Sequence, residues 1–224
     1  MKNLLTTLTI SIILTSCNHQ DKLKVVLVKF PDDSIQEVIY YDLPITSDST
    51  GIKEIYFNNG KLQAKGNYKN GKRTGKWVCY RRSGKLEWRA DYQDGKENGT
   101  TECFEENGSW RKMTVTNGCK NGPTTEFNTD STGRQVWVYG QYKDCKEDGL
   151  WIWKNKDKKI LMKEFFKDGI PDITSESFYN NGVIKSRTFL RLGNLDSIQT
   201  FDSLGRLIKT EHYKDKIWTH TWME

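Results

Sequence analysis

The stretch Gly66–Trp88, GNYKNGKRTGKWVCYRRSGKLEW, decides the fold. It holds two turn signals, Asn70-Gly71 and Ser83-Gly84, with a strand-sized segment between them. On either side of it apolar and polar residues alternate. Leu62, Ala64, Gly66 and Tyr68 interleave with Lys61, Gln63, Lys65 and Asn67, and Leu86, Trp88, Ala90 and Tyr92 interleave with Glu87, Arg89 and Asp91. A period of two places one set on one face of a sheet, so the stretch reads as antiparallel strands joined by tight turns.

Working outward, the same pattern recurs about every 24 residues. The first turn falls at Gly60, Gly84, Gly108, Gly133, Asp157, Gly182 and Gly205. The second falls at Asn70-Gly71, Asp94-Gly95, Asn117-Gly118, Asp144-Cys145, Asp168-Gly169, Gly193-Asn194 and Asp215-Lys216. An aromatic column precedes the first turn: Tyr56, Tyr80, Phe104, Phe127, Trp153, Phe178 and Phe201. An apolar column precedes the second: Tyr68, Tyr92, Val115, Tyr142, Phe166, Leu190 and Tyr213. Both columns are expected on one face, packing repeat against repeat, because a two-strand unit cannot bury an apolar face alone.

Apolar pairs across the first turn, such as Tyr56 with Leu62 and Tyr80 with Leu86, are six apart. That spacing calls for a three-residue loop with glycine in the left-handed third position, not a two-residue turn. The expected fold is all-β: an elongated single-layer antiparallel β-meander of two-strand repeats of about 24 residues, covering 52–224. Residues 23–51 read as an N-terminal β-hairpin cap and loop, with Pro31-Asp32-Asp33-Ser34 as its turn.

Residues 1–16 have another logic. Lys2, an apolar run from Leu4 to Leu14 too short to span a bilayer, and small residues before Cys17 make a secretory signal. Leu14-Thr15-Ser16-Cys17 resembles a bacterial lipobox, which implies cleavage before Cys17 and lipid on its thiol. Residues 17–22 then form a lipidated tether. The chain is expected to be exported and lipid-anchored to a bacterial cell membrane, facing the periplasm or the cell surface.

Composition agrees with an exported binding protein. Hydrophobic residues make up only 35%, yet there are 8 Trp, 10 Tyr and 9 Phe, too many aromatics for a disordered chain. The formal net charge of +6 is spread without basic blocks, which argues against a nucleic-acid partner.

The segments GNYKNGKRTGKWVCYRRSGKLEW and GQYKDCKEDGLW (140–151) resemble the MORN repeat in its bacterial variant form. The likeness is good over 66–110 and 140–153 and weakens to turn glycines and aromatics from 163 to 216. It implies a β-meander used for binding or scaffolding, and bacterial members are often labelled antitoxin components. An exported lipoprotein suits an immunity or surface role better than a cytoplasmic antitoxin.

No catalytic constellation stands out. His19, His212 and His220 lack partners at metal-ligand spacing, and no nucleophile or phosphate-binding signature occurs, so no metal, cofactor or enzymatic activity is expected. Glu102, Glu105 and Glu106 read as solvated turn residues. Cys79 and Cys103 occupy equivalent strands about 10 Å apart, too far for a bridge. Cys119 and Cys145 meet only if their loops lean together, and free thiols are favoured.

Trp77 and Arg89 fall on the opposite, more polar parity from the aromatic column. An exposed tryptophan beside charges makes this pair the binding candidate. The expected function is a membrane-anchored, non-catalytic repeat protein that binds or scaffolds a protein partner. The alternatives are an antitoxin or immunity protein and a cell-wall or glycan-binding lipoprotein.

Overall fold

The computed structural model describes residues 11–15, 22–43, 46, 49–129, 132–191 and 194–217. Among them there is no helix. The chain divides into two compact units. The first holds β1 (Ser11–Thr15), β2 (Lys22–Lys29), β3 (Ile35–Asp42), β4 (Thr50–Tyr56), β5 (Leu62–Lys69), β6 (Lys72–Tyr80), β7 (Leu86–Gln93) and β8 (Lys96–Phe104). The second holds β9 (Trp110–Thr116) up to Val115, β10 (Cys119–Thr129), β11 (Gln135–Lys143), β12 (Lys146–Asn155), β13 (Ile160–Lys167), β14 (Ile170–Phe178), β15 (Ile184–Arg191), β16 (Asn194–Phe201) and β17 (Leu207–Ile217), while residues 116–118 group with the first. Within each unit, successive strands pair antiparallel. Each is therefore a single-layer meander of two-strand repeats.

Two turn geometries alternate. At the first, Phe57 N–H donates to Lys61 O and Gly60 N–H to Phe57 O, both 2.9 Å, with Gly60 left-handed at φ +75°. Tyr56 faces Leu62 and Tyr80 faces Leu86, the six-residue spacing expected of this loop. At the second, both residues are left-handed, Asn70 at φ +49° and Gly71 at +77°, and Lys69 faces Lys72. That is a two-residue turn of the type that matches strand twist.

Four assignments change. In the fourth copy Thr129 faces Gln135, six apart, so Thr129 and not Phe127 holds the slot before the first turn. In the fifth copy the left-handed residue is Lys158 (φ +61°), bonded to Asn155 O at 2.9 Å, and not Asp157. Lys154 therefore holds the slot before that turn, and Trp153 moves to the other face. Arg191 faces Asn194, so Asn194 belongs to β16 and not to the expected Gly193-Asn194 turn, whose Gly193 lies outside the described residues. β17 runs through Asp215 and Lys216, where a turn was expected.

The N-terminal hairpin proves to be another copy of the first turn. Phe30 N–H reaches Ser34 O at 2.9 Å, Asp33 N–H reaches Phe30 O at 3.0 Å, and Asp33 is left-handed at φ +66°. β1, inside the expected signal segment, pairs with β2 in the unprocessed chain.

The largest correction concerns faces. A bulge follows the first turn of most hairpins, β10–β11 excepted, where Thr129 faces Gln135 and Asn128 faces Val136 in continuous register: Tyr80 faces Leu86, but Cys79 faces Trp88, so Glu87 is an extra residue on β7. Leu86 and Trp88 consequently point to opposite faces despite their even spacing. The two apolar columns therefore lie on opposite faces of the sheet, not on one. A second bulge, at Gly75, shifts Asn67–Thr74 pairing to Gly66–Trp77 pairing. Its counterparts Gly99, Gly122 and Gly149 are left-handed as well, and Ile173 holds the same conformation at φ +68° without glycine's freedom.

The better buried face is the one carrying Tyr68, Trp77, Cys79, Trp88 and Tyr92. Trp77, Ala64 and Cys79 form its core in the first unit, and Val138, Tyr142, Trp151, Trp153 and Phe166 in the second.

A groove on the second unit and its filled counterpart on the first

The two segments GNYKNGKRTGKW and GQYKDCKEDGLW are built alike. In each, the tryptophan lies flat on a glycine of the neighbouring strand. A methyl group on Gly66 would come within 2.3 Å of the Trp77 ring, and one on Gly140 within 2.2 Å of the Trp151 ring. Only glycine leaves room for the indole there. A bulge glycine, Gly75 or Gly149, stands two residues before each tryptophan, and Tyr68 or Tyr142 stands beside it. The same offset relates Tyr92 to Phe166 and Trp88 to Met162, by their pairing in the sheet.

In the first unit this cradle is filled by the chain itself. The Arg73 guanidinium lies 4.4 Å from the Trp77 ring centre, 5.3 Å from that of Tyr92 and 5.8 Å from that of Trp88. It also donates to the Tyr92 hydroxyl at 3.2 Å. The Trp77 indole N–H donates to Asn67 O at 2.7 Å. Trp77 is only 1% exposed, so the expectation of an exposed tryptophan at this position is overturned. Trp77 and Tyr80 lie on opposite faces, and the bulges make the face of Trp77 the buried one.

Arg89 points to the other face, beside the Phe104 ring, with its side chain more than half exposed and paired with Glu102. Trp77 and Arg89 both border a depression of about 480 Å³, together with Lys76, Val78, Asp91 and Thr100. They do not form one side-chain site, because their rings and charges sit on opposite sides of the sheet.

In the second unit the equivalent cradle is open. A groove of about 760 Å³ runs over Val136, Val138, Tyr142, Trp151, Trp153 and Phe166, within the size range of ligand sites. Edge-on ring contacts hold its floor, with Tyr142 5.3 Å and Phe166 5.8 Å from Trp151. Arg111, Glu126, Asn107, Asn128 and Arg134 border one end, and Glu147, Gly169 and Pro171 the other. Arg111 pairs with Glu126 at 2.8 Å. Burial, then the carboxylates of Glu147 and Glu126, push the Tyr142 phenol up to about 12. Sequence reasoning missed this groove. The signal was the twelve-residue identity of pattern between 66–77 and 140–151, in which Arg73 is replaced by Glu147.

Cys119 and Cys145 are disulfide-bonded, with Cα atoms 5.1 Å apart. The preference for free thiols is corrected for this pair, and its cause is the repeat. Second turns hydrogen-bond back to the preceding hairpin: Gly95 N–H to Arg73 O, Cys145 N–H to Lys120 O and Gly169 N–H to Glu147 O, all 2.9 Å. A methyl group on Gly95 would lie 3.6 Å from Lys72 Cβ, and one on Gly169 3.5 Å from Lys146 Cβ. Those are disulfide Cβ separations. Cysteine at positions 119 and 145, the corresponding pair, is thus placed to bridge. Cys79 and Cys103 are not disulfide-bonded, facing Trp88 from its two sides as the strand spacing requires.

Among the described residues no cluster of three or more His, Cys, Asp or Glu could hold a metal ion. Fold and turn chemistry thus define a β-meander repeat protein. Residues 49–70, the β4–β5 hairpin with Gly60 at its turn, match the family model described as the MORN repeat variant. That match lies one repeat upstream of the segments in which the likeness is plainest to the eye. No curated protein matches the chain.

Proposed function

We propose that this chain is a non-catalytic binding protein, held to a bacterial membrane by lipid on Cys17, that uses the groove of its second unit to contact a protein partner. The groove carries this reading. It combines buried aromatics with a bordering set of both charge signs, the composition of a recognition surface. Glu126 and Glu147 both border it, Glu126 paired with Arg111 and Glu147 bonded by the Tyr142 hydroxyl. The match to a repeat-unit family supports a scaffold over an enzyme.

The disulfide supports an oxidising compartment, as export through the signal segment would provide. Cys17 itself lies outside the described residues. Cleavage before it would remove β1 and leave β2 as a sheet edge.

The test is affinity capture of the membrane-extracted protein in three forms: wild type, Asn128→Trp, which fills the groove mouth, and Tyr139→Trp, on the other face. The partner is expected to co-purify with the wild type and Tyr139→Trp and to be lost from Asn128→Trp. Retention by Asn128→Trp would refute the groove reading. In the same preparation Cys17→Ser should release the protein from membranes or block processing; unchanged fractionation and mass would refute the anchor.

A further inference from the structure

The two cradles differ in charge at positions that correspond one to one. Where the first unit has Arg73, the second has Glu147. Where the first has the buried Ala90 facing Trp77, the second has Glu164, 1% exposed, facing Trp151. The first cradle thus supplies its own cation, and the second supplies two carboxyl groups beside the same kind of indole. The indole N–H differs too. That of Trp77 is satisfied by Asn67 O, whereas Trp151, 5% exposed, lines the groove with its N–H finding no hydrogen-bond partner among the described residues. No cation lies over the Trp151 ring among them, although Lys120 sits 4.6 Å from the centre of Tyr142. A buried indole N–H ordinarily has an acceptor.

From this we infer that the groove receives an arginine side chain of a partner protein, its guanidinium set against Trp151 beside Glu147 and an adjacent backbone carbonyl accepting the Trp151 N–H. The inference rests on the groove being the contact surface and names the chemistry it selects. Arg73 over Trp77 shows that this aromatic arrangement holds a guanidinium. The groove is also polarised along the strands. Arg134 and the neutralised Arg111–Glu126 pair lie toward the first-turn end, and Glu147 lies at the second-turn end. The span from Val136 to Tyr142 is about 20 Å at strand rise, room for a short extended segment with its arginine at the Glu147 end.

The test uses the full lipoprotein in detergent and the tripeptide acetyl-Gly-Arg-Gly-amide, with citrulline as the neutral isostere. Binding is followed by calorimetry and by the NMR shift of the Trp151 indole N–H. The arginine peptide should saturate that shift, and the citrulline peptide should bind at least about tenfold weaker. Glu147→Arg, which fills the cradle as Arg73 does, should abolish binding without lowering the melting temperature. Glu147→Gln, which preserves shape, should weaken binding several-fold.

Equal binding of the two peptides, no saturation by the arginine peptide up to ~10 mM, or full binding by Glu147→Gln would each overturn the inference. If those results appear while Asn128→Trp still loses the partner, the groove stands and the guanidinium falls. If Asn128→Trp keeps the partner, both fall.

Discussion

Trp77→Ala is expected to destabilise the first unit by about 3–5 kcal/mol, the usual cost of truncating a fully buried large aromatic. Trp77 is among the most completely buried side chains, it lies on Gly66, and its indole N–H is bonded to Asn67 O. Removing the ring opens a cavity between Gly66 and Tyr92 and strips Arg73 of its shortest ring contact. Tyr80→Ala, half-buried on the other face, should cost less, and Arg89→Ala, an exposed ion-pair partner, should stay within about 1 kcal/mol. Denaturant midpoints of the three variants check the order. A Trp77→Ala midpoint matching that of Arg89→Ala would return Trp77 to the role of a surface contact residue.

The second large effect belongs to the bridge. Cys119 and Cys145 close a loop of 26 residues' separation, which in the chain-entropy account stabilises by about 3.5 kcal/mol. Reduction, or Cys119→Ala, is therefore expected to lower the melting temperature by roughly 7–14 °C. Peptide mapping of the exported protein without reductant should recover Cys119 and Cys145 in one linked pair, with Cys79 and Cys103 alkylated as free thiols. Alkylation of all four without reductant would contradict the bridge. Cys145 holds a left-handed conformation at φ +68° where Gly71 and Gly95 stand in other copies. A non-glycine residue there costs about 1–2 kcal/mol, which the bridge more than offsets.

The repeat was legible because turns are written in local chemistry. Asn70-Gly71 and Asp94-Gly95 announce two left-handed residues in a row, and the six-residue spacing of Tyr56 with Leu62 announces a three-residue loop. The faces were not legible, because a bulge leaves no mark in hydrophobic spacing. Leu86, Glu87 and Trp88 alternate like any strand, and only pairing against Cys79 and Tyr80 shows that Glu87 is extra. One missed residue exchanges the faces, and with them the reading of Trp77 as exposed. In the copy without glycine no residue type marks the left-handed place, which Lys158 and not Asp157 holds. The bridge was hidden for a related reason. Strand spacing separates equivalent residues of successive hairpins, but residues 119 and 145 are not equivalent: one begins a strand and the other is the turn that folds back over it.

The central claim is that one face of the second unit, and not the other, meets the partner. A photo-crosslinking amino acid placed at Asn128, in the groove, or at Tyr139, 38% exposed on the opposite face, tests this in the producing cells. The account predicts a discrete crosslinked product from position 128 and none from position 139. A product from position 139 with none from 128 would contradict it.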